Sequence, residues 1–402
     1  QAAENACNVK LVSSLPSERA QSVMAEGGIN AALNTKDEND SPEEHFTDTI
    51  KAACGLADPN AVWGMTQAAP ELVHWLLKLG VKFNMSGYDD VDLRNFGGQK
   101  KKRTAFAQSD TGKQIMTAMI DAVRRKEASG MVERFSHHSF LTLRLCGNIC
   151  CGCVIRDEYS QETVELPGDA VIVATGGMHG LFGNTTGSLS NTGEVTAELF
   201  RLGVPLANGE MIQYHPTTVK CGGKRMLISE AARGEGGRLF AMKDGKQWYF
   251  MEEKYPELGN LMPRDITARE IWKVSHESEV FLDMTEISEE IISNKLSGLA
   301  DDCMTYLHKD IRKEPVSVLP GIHYFMGGIL VDEQHRTPIQ NLYAAGECCA
   351  QYHGANRLGG NSLLGALYGG RVAAKSACEQ ADVVDLSCAT QIDVPPASQI
   401  SE

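Results

Sequence analysis

The stretch His353-Gly354-Ala355-Asn356-Arg357-Leu358-Gly359-Gly360-Asn361-Ser362-Leu363-Leu364 limits the folds open to this chain more than any other segment. It follows Asn341-Leu342-Tyr343-Ala344-Ala345-Gly346-Glu347, which reads as a short buried strand ending in glycine and an acid. The stretch itself opens a helix, with Asn361 or Ser362 placed to cap it. Strand, glycine-rich turn and helix N-terminus together make an anion-binding device, because free backbone N–H groups and the helix dipole face one point. Glu347 stands where a strand-end acid takes a ribose hydroxyl in dinucleotide sites. His353 and Arg357 lie beside the device and predict a second anion, a substrate, held next to the cofactor.

The remaining pattern is mixed. Residues 9–13 read as a strand and residues 2–7 as the last turns of a helix before it. Residues 61–80 carry Val62, Met65, Leu72, Leu76 and Leu77 at helical spacing, with Gly80 as a stop and Pro70 predicted to split the helix in two. A further helix is expected over 111–127, and a fully buried strand over 170–174 runs into a second glycine turn, Thr175-Gly176-Gly177. From about 210 to 320 the pattern changes to helices and charge-rich loops, with one amphipathic helix expected over 286–309.

Composition narrows the class. At 402 residues two or three domains are expected, and no apolar run approaches the roughly 18 residues of a membrane helix. A net charge of −14 excludes nucleic acid as a natural partner. It also means that an anion site must gather positive charge locally. Twelve cysteines, some adjacent, point to a reducing compartment rather than a disulfide scaffold. Cys146, Cys150, Cys151 and Cys153 invite a metal reading, but Gly147-Asn148 is a turn dipeptide between two strand-like flanks. A hairpin with small buried cysteines is expected there, and no metal site is predicted.

Eight segments in order resemble one family. Beside the 353–364 stretch they are Ala25-Glu26-Gly27-Gly28, Arg94-Asn95-Phe96-Gly97-Gly98, Ala174-Thr175-Gly176-Gly177, Gln213-Tyr214-His215-Pro216-Thr217, Ser229-Glu230-Ala231-Ala232-Arg233-Gly234-Glu235-Gly236-Gly237, Pro263-Arg264-Asp265 and His323-Tyr324-Phe325-Met326-Gly327-Gly328. They resemble the flavoprotein subunits of succinate dehydrogenase and fumarate reductase, with L-aspartate oxidase as a relative, over about 10–377. The resemblance implies an α/β fold: a Rossmann-like FAD-binding domain (1–209 and 321–381) with an inserted α+β capping domain (210–320) and a tail (382–402). It implies FAD, a small dicarboxylate such as fumarate or succinate, and an iron–sulfur electron-transfer subunit as partner. It also implies a cytoplasmic location, peripheral to the inner membrane face through partner subunits, with no span of its own.

The resemblance assigns roles residue by residue. Arg264 would be the proton donor, with Glu230 and Arg233 as its relay. His215, Ser229, His323 and Arg357 would hold the dicarboxylate, with Phe96 and Gly97 closing one wall. Ser13, Ser14, Gln21, Ser22, Ala25, Glu26, Gly27, Gly28, Ala174, Thr175, Gly176, Glu347, Asn361, Ser362 and Leu363 would hold FAD. His45, His74, His276, His308 and His335 fall outside the shared motifs and are expected to be ordinary surface or core residues.

Three departures from the family pattern shape the expectations. Members working with membrane quinones attach FAD through a histidine just ahead of Ala25-Glu26-Gly27-Gly28, where this chain has Gln21. Glutamine cannot make that bond, so non-covalent FAD is expected. The family's first strand with its Gly-x-Gly-x-x-Gly turn, and its long helical domain after about 381, are missing, which reads as a fragment. Gly359-Gly360-Asn361 and Arg103-Thr104-Ala105-Phe106-Ala107 look more like fumarate reductase than L-aspartate oxidase. A catalytically silent scaffold is the third reading.

Overall fold

The computed structural model describes residues 1–87 and 89–381. The expected tail at 382–402 lies outside the described residues. Strand β1 (Val9–Ser13) pairs parallel with β2 (Val132–Ser136), Val9 opposite Val132 and Ser13 opposite Ser136. The expected helix before β1 is a single 3-10 turn, Ala2–Asn5. A parallel pair needs a long crossover, and three helices supply it: α1 (Pro42–Ala52), α2 (Pro59–Leu79) and α3 (Thr111–Ala128). Ser41 caps α1, its Oγ accepting from Glu44 N at 3.2 Å, with Pro42 at the first helical position.

Pro70 does not split α2. The helix runs unbroken to Gly80, whose φ of 99° makes the left-handed stop that glycine alone adopts freely. Proline costs one hydrogen bond, but Val62, Met65, Ala69, Leu72, Val73 and Leu76 are buried on both sides of it. That burial outweighs the local penalty of about 3 kcal/mol.

The predicted hairpin is present as β3 (His138–Cys146) and β4 (Ile149–Asp157), extended by β5 (Thr163–Pro167). Cys150 and Cys151 are free thiols, wholly buried, and serve as small core residues. The strand expected over 170–174 is shorter, β6 (Val171–Val173), and it is not buried throughout. Ile172 is 36% exposed because it lines the large central cavity.

Chain 210–320 supplies most of one hydrophobic cluster, which Phe96 joins from outside it. Strand β7 (Ile212–Cys221) turns back into β8 (Lys224–Leu227), and the short helix α4 (Glu230–Gly234) follows. Strands β9 (Arg238–Lys243), β10 (Lys246–Trp248), β11 (Val280–Asp283) and β12 (Val316–Ser317) form an antiparallel sheet in the order β10-β9-β11-β12. Helix α5 (Arg264–Val274) contributes Ile271 to the cluster with Leu239, Leu282, Ile292 and Val316. The single helix expected over 286–309 is three short pieces: Glu289–Lys295, Ser297–Asp302 and a π turn, Cys303–Leu307. Ile292, Leu296, Leu299 and Cys303 all reach one core. A straight helix of that length would span about 36 Å and carry its far end past that core.

The chain returns through β13 (Leu319–Phe325), antiparallel to β7. Then β14 (Leu342–Ala344), fully buried as predicted, lies parallel to β6, and α6 (Asn361–Gln380) closes the described fold. Neither Asn361 nor Ser362 caps α6. Gly360 takes the cap position at φ 85°, and Asn361 is already helical. Its side chain is drawn into the core, Oδ1 accepting from Asn30 Nδ2 (2.8 Å) and meeting His45 Nε2 (2.9 Å), while Nδ2 donates to Thr49 Oγ1 (3.1 Å).

A second buried knot lies under α1. Arg103 donates to both oxygens of Asp40 (3.1 and 2.8 Å) and to Asp48 Oδ2 (2.8 Å), with all three side chains at most 4% exposed. Burial pushes the Asp40 carboxyl up, and the Arg103 contacts oppose it. Removing the cation strands two carboxylates in the core. Arg103→Leu is therefore expected to lower stability by about 3–5 kcal/mol in urea denaturation, and a loss under about 1 kcal/mol would refute the pairing.

Candidate active site

The cavity occupies about 2460 Å³ between the C-terminal ends of β1 and β6, the start of α6 and the β7–β13 sheet. Drug-sized sites span roughly 300–1,000 Å³, so this one has room for a dinucleotide cofactor and a small anion together.

Most residues assigned to the cofactor meet at its wall. Ser13 and Ser14 border it from the end of β1, and Gln21 and Ser22 from the 3-10 turn Gln21–Met24. Ala25, Glu26, Gly27 and Gly28 continue the same wall; Ala174, Thr175, Gly176 and Glu347 face it from the ends of β6 and β14. Ser362 and Leu363 close the ring at the start of α6, whereas Asn361 points into the core and does not border the cavity. Close approach requires glycine at Gly28 (φ 132°), where a Cβ would lie 2.4 Å from the Ala105 carbonyl oxygen. Glu26 presents an unpartnered Oε2, and burial first, then Asp302 and Asp110, lift its carboxyl to about 8. These residues fit a large, flat, hydrogen-bonding cofactor.

The other end of the cavity is cationic. Arg264, at the first turn of α5, donates through Nε (2.8 Å) and Nη2 (2.6 Å) to Glu230 Oε2 and through Nη1 (3.0 Å) to Gln213 Oε1. Glu230 Oε1 accepts the Gly97 N–H at 2.9 Å and lies 3.5 Å from Arg233 Nη2. Burial raises the Glu230 carboxyl, but Arg264, Arg233 and the Gly97 N–H outweigh it, so Glu230 stays ionised, below the usual range. Arg233 lies behind Glu230, off the cavity wall, with Nη1 on Asn260 O at 2.6 Å. Burial lowers its guanidinium. Gly97 is likewise no wall. It is a backbone donor, and a Cβ there would sit 2.7 Å from Glu230 Oε1. Phe96 does border the cavity, and so does Ser229, although the Ser229 hydroxyl also caps α4.

His215 and His323 face each other, ring centroids 5.0 Å apart. They can supply hydrogen bonds but no positive charge. Burial, then Arg264 for His215 and His215 for His323, holds both rings well below their ordinary value, so both are neutral. His323 Nδ1 meets Thr186 Oγ1 at 2.8 Å, while His215 Nε2 is buried without a partner. The charge is left to the arginines. Arg357 is buried over the Tyr324 ring, 4.3 Å from its centroid, with Nε unpartnered, and burial then Arg264 lowers it to about 9.

His353 does not stand beside the anion site. It packs against Tyr324 and Tyr352, off the cavity wall. Gln213 is a site residue the sequence reading passed over: Nε2 donates to Arg357 O (2.7 Å) and to Asn356 Oδ1 (3.0 Å), so it ties Arg264 to the Arg357 loop. Asn30 Nδ2 and Gln99 Nε2 clamp the Gly359 carbonyl at 2.8 Å each, and His45, taken as ordinary, completes that network through Asn361. Neutral polar residues carry no charge pattern to betray them; only their places beside the glycine motifs hint at a role.

A pH dependence follows from Arg357. Below about 9 it is charged and attracts a dianion; above that value the charge is lost. Malonate affinity, measured by calorimetry, is expected to weaken by about tenfold per pH unit once well above that value. A flat profile up to about pH 10 would remove Arg357 from the binding site.

Comparison with known proteins places the chain in a family. The FAD binding domain family model matches residues 1–363. The chain is 43% identical over 396 residues to the succinate dehydrogenase flavoprotein subunit of Bacillus subtilis, covering 96% of this chain and 68% of that protein. It is 33% identical to the 8-methylmenaquinol:fumarate reductase flavoprotein subunit of Wolinella succinogenes, covering 96% and 63%, and 35% identical to L-aspartate oxidase of Nostoc, covering 85% and 58%. Among solved structures, E. coli quinol fumarate reductase superposes with a TM-score of 0.88 at 29% identity, covering 96% of this chain and 69% of that one. The chain thus spans about two thirds of the length of these relatives, 68% and 63% for the first two. It belongs to the FAD-binding flavoprotein oxidoreductase family of succinate dehydrogenase and fumarate reductase flavoprotein subunits, and its cofactor is FAD.

Proposed function

We propose that this chain carries the catalytic centre of an enzyme interconverting fumarate and succinate. The observation that carries the reading is Arg264. It borders the cavity on the same side as His215, His323 and Arg357, and its Nε and Nη2 are tied to the ionised Glu230. Bound FAD supplies, or takes, the hydride at one alkene carbon. The protein must hold the dianion and move one proton at the other carbon. Arg357, neutral His215 and neutral His323 surround the cavity end where the two carboxylates would lie. Each terminal nitrogen of Arg264 spends one N–H on Glu230 or Gln213, which leaves a second N–H for the substrate carbon. Glu230, ionised and 2.6 Å away, takes a proton from Arg233 behind it and passes it on to Arg264 once Arg264 has given up its own, with Arg233 as the link outward. Gln213 and Gly97 fix the two ends of this pair.

Electrons would pass to or from an iron–sulfur subunit, as the relatives' status as flavoprotein subunits suggests. No described helix is long and apolar enough to cross a membrane; a cytoplasmic place, peripheral to the inner membrane face through partners, completes the proposal. L-aspartate oxidation is the runner-up. Against it, the carboxylate beside Arg264 is spent on two arginines and a backbone N–H, and the neighbouring Phe96 is apolar, so an α-ammonium finds no free acid there. A silent scaffold would not need a charged, ordered donor pair.

Two assays test these statements. Arg264→Gln is expected to lose nearly all fumarate reduction by a reduced viologen dye, about 10³-fold or more, while malonate affinity changes less than about tenfold. Equal losses in both would make Arg264 a clamp. L-aspartate turnover in the parent protein, with no fumarate turnover, would replace the proposal with its runner-up.

With Gln21 at the cavity wall, FAD should be held without a covalent bond. Acid precipitation should leave yellow flavin in the supernatant; fluorescence remaining on the denatured chain in a gel would disprove this.

A further inference from the structure

His179 is a buried histidine for which the proposed chemistry has no use. It begins the 3-10 turn His179–Leu181 that follows β6, borders the cavity, and is 1% exposed. Its Nε2 lies 3.1 Å from Glu347 Oε1 and its Nδ1 2.8 Å from Thr185 Oγ1. Glu347 Oε1 also accepts the Phe325 N–H at 3.0 Å.

Both side chains are locked. The imidazole stands edge-on to Phe325, centroids 5.0 Å apart at 87°. It packs so tightly on the backbone of Gly187 that a Cβ there would lie 2.2 Å from its Cγ. A Cβ at Gly177 would lie 2.6 Å from Glu347 Oε1. The imidazole cannot swing away without moving main chain, and its own contact and the Phe325 N–H hold Glu347 Oε1 in place.

Hydrogen-bond accounting sets the tautomer. Thr185 Oγ1 already accepts the Gly187 N–H at 3.1 Å. Its own proton can go to Ile322 O (3.2 Å) or to His179 Nδ1. Ile322 O is satisfied by the Thr186 N–H at 2.8 Å, so the shorter bond to His179 is open to it. The imidazole proton then sits on Nε2 and points at Glu347. Two donors occupy the inner oxygen of that carboxylate. Oε2 accepts no hydrogen bond from the described residues, and Glu347 borders the cavity.

We propose that His179 is a positioning residue that presents Glu347 Oε2 as the acceptor for a hydroxyl of the cofactor's sugar-like chain, either the ribityl group or the adenosine ribose. The inference rests on FAD as the cofactor and not on the fumarate reading, so loss or absence of turnover does not bear on it.

The test is equilibrium binding to the FAD-stripped chain, read by flavin fluorescence and calorimetry with FAD, FMN and ADP as probes. His179→Leu is expected to weaken FAD by about tenfold. Glu347→Gln should weaken it comparably, and the double variant should be no weaker than Glu347→Gln alone, because one residue acts through the other. Weakening with FMN but not ADP identifies the ribityl chain; weakening with ADP but not FMN identifies the ribose. Full additivity, or His179→Leu binding all three probes like the parent, would overturn the proposal. His179→Gln and His179→Asn guard against a folding defect. The Gln amide reaches Glu347 and should restore most of the affinity, whereas the Asn amide reaches only toward Thr185 and should not. Equal affinities for the two would also overturn it.

Discussion

The Glu230 carboxylate is the contact on which the rest of the site depends. It accepts the Gly97 N–H from chain 1–209, and Nε and Nη2 of Arg264 from chain 210–320, with Arg233 alongside. Burying three charges costs several kcal/mol per ion unless geometry and extra hydrogen bonds offset it. Here the offset requires both chain segments at once: opening the joint would separate Gly97 from Glu230. Glycine is needed on two sides of the pair, since a Cβ at Gly97 or Gly359 would fall within 2.7–2.8 Å of a Glu230 oxygen. The glycine motifs are thus the space left for a buried ion pair as much as they are a cofactor cradle.

How much of this was legible varies with the kind of physics involved. The β3–β4 hairpin, the buried β14 and its glycine turn, and the helix after it could be read because local pattern decides them. The continuity of α2 through Pro70 could not, since it depends on packing partners remote in sequence. The breaks within 286–309 have the same origin: Ile292 and Cys303 converge on a core that no window of sequence displays. The chemistry-bearing motifs were legible as residues but not as roles. Gly97 was read as a wall and is a donor; His353 was read as a site group and is packed among aromatic rings.

Charge is where sequence reading misled most. An anion site was expected to gather positive charge locally, and the shared motifs contribute His215, Arg233, Arg264, His323 and Arg357 to it. In place, His215 and His323 are neutral because burial and neighbouring guanidiniums both oppose protonation. Arg233 stands back from the wall, and the residues that organise the pocket, Gln213, Gln99 and Asn30, are uncharged amides. An amide offers a donor and an acceptor together, so it can join an arginine to a carbonyl, as Gln213 does, without adding to the electrostatic load.

That load has a consequence for folding. Arg264, Arg233 and Arg357 are buried around a single carboxylate, and Arg357 is depressed partly by Arg264. Like charges so confined favour the unfolded chain, where they separate into water. A small dianion seated among them would cancel the excess, so the proposed substrate would act as a structural counterion as well. By mass action, such a ligand at about a hundred times its dissociation constant adds about 2.7 kcal/mol to the folded state. The chain's resistance to heat and proteolysis would then follow the supply of dicarboxylate in its surroundings.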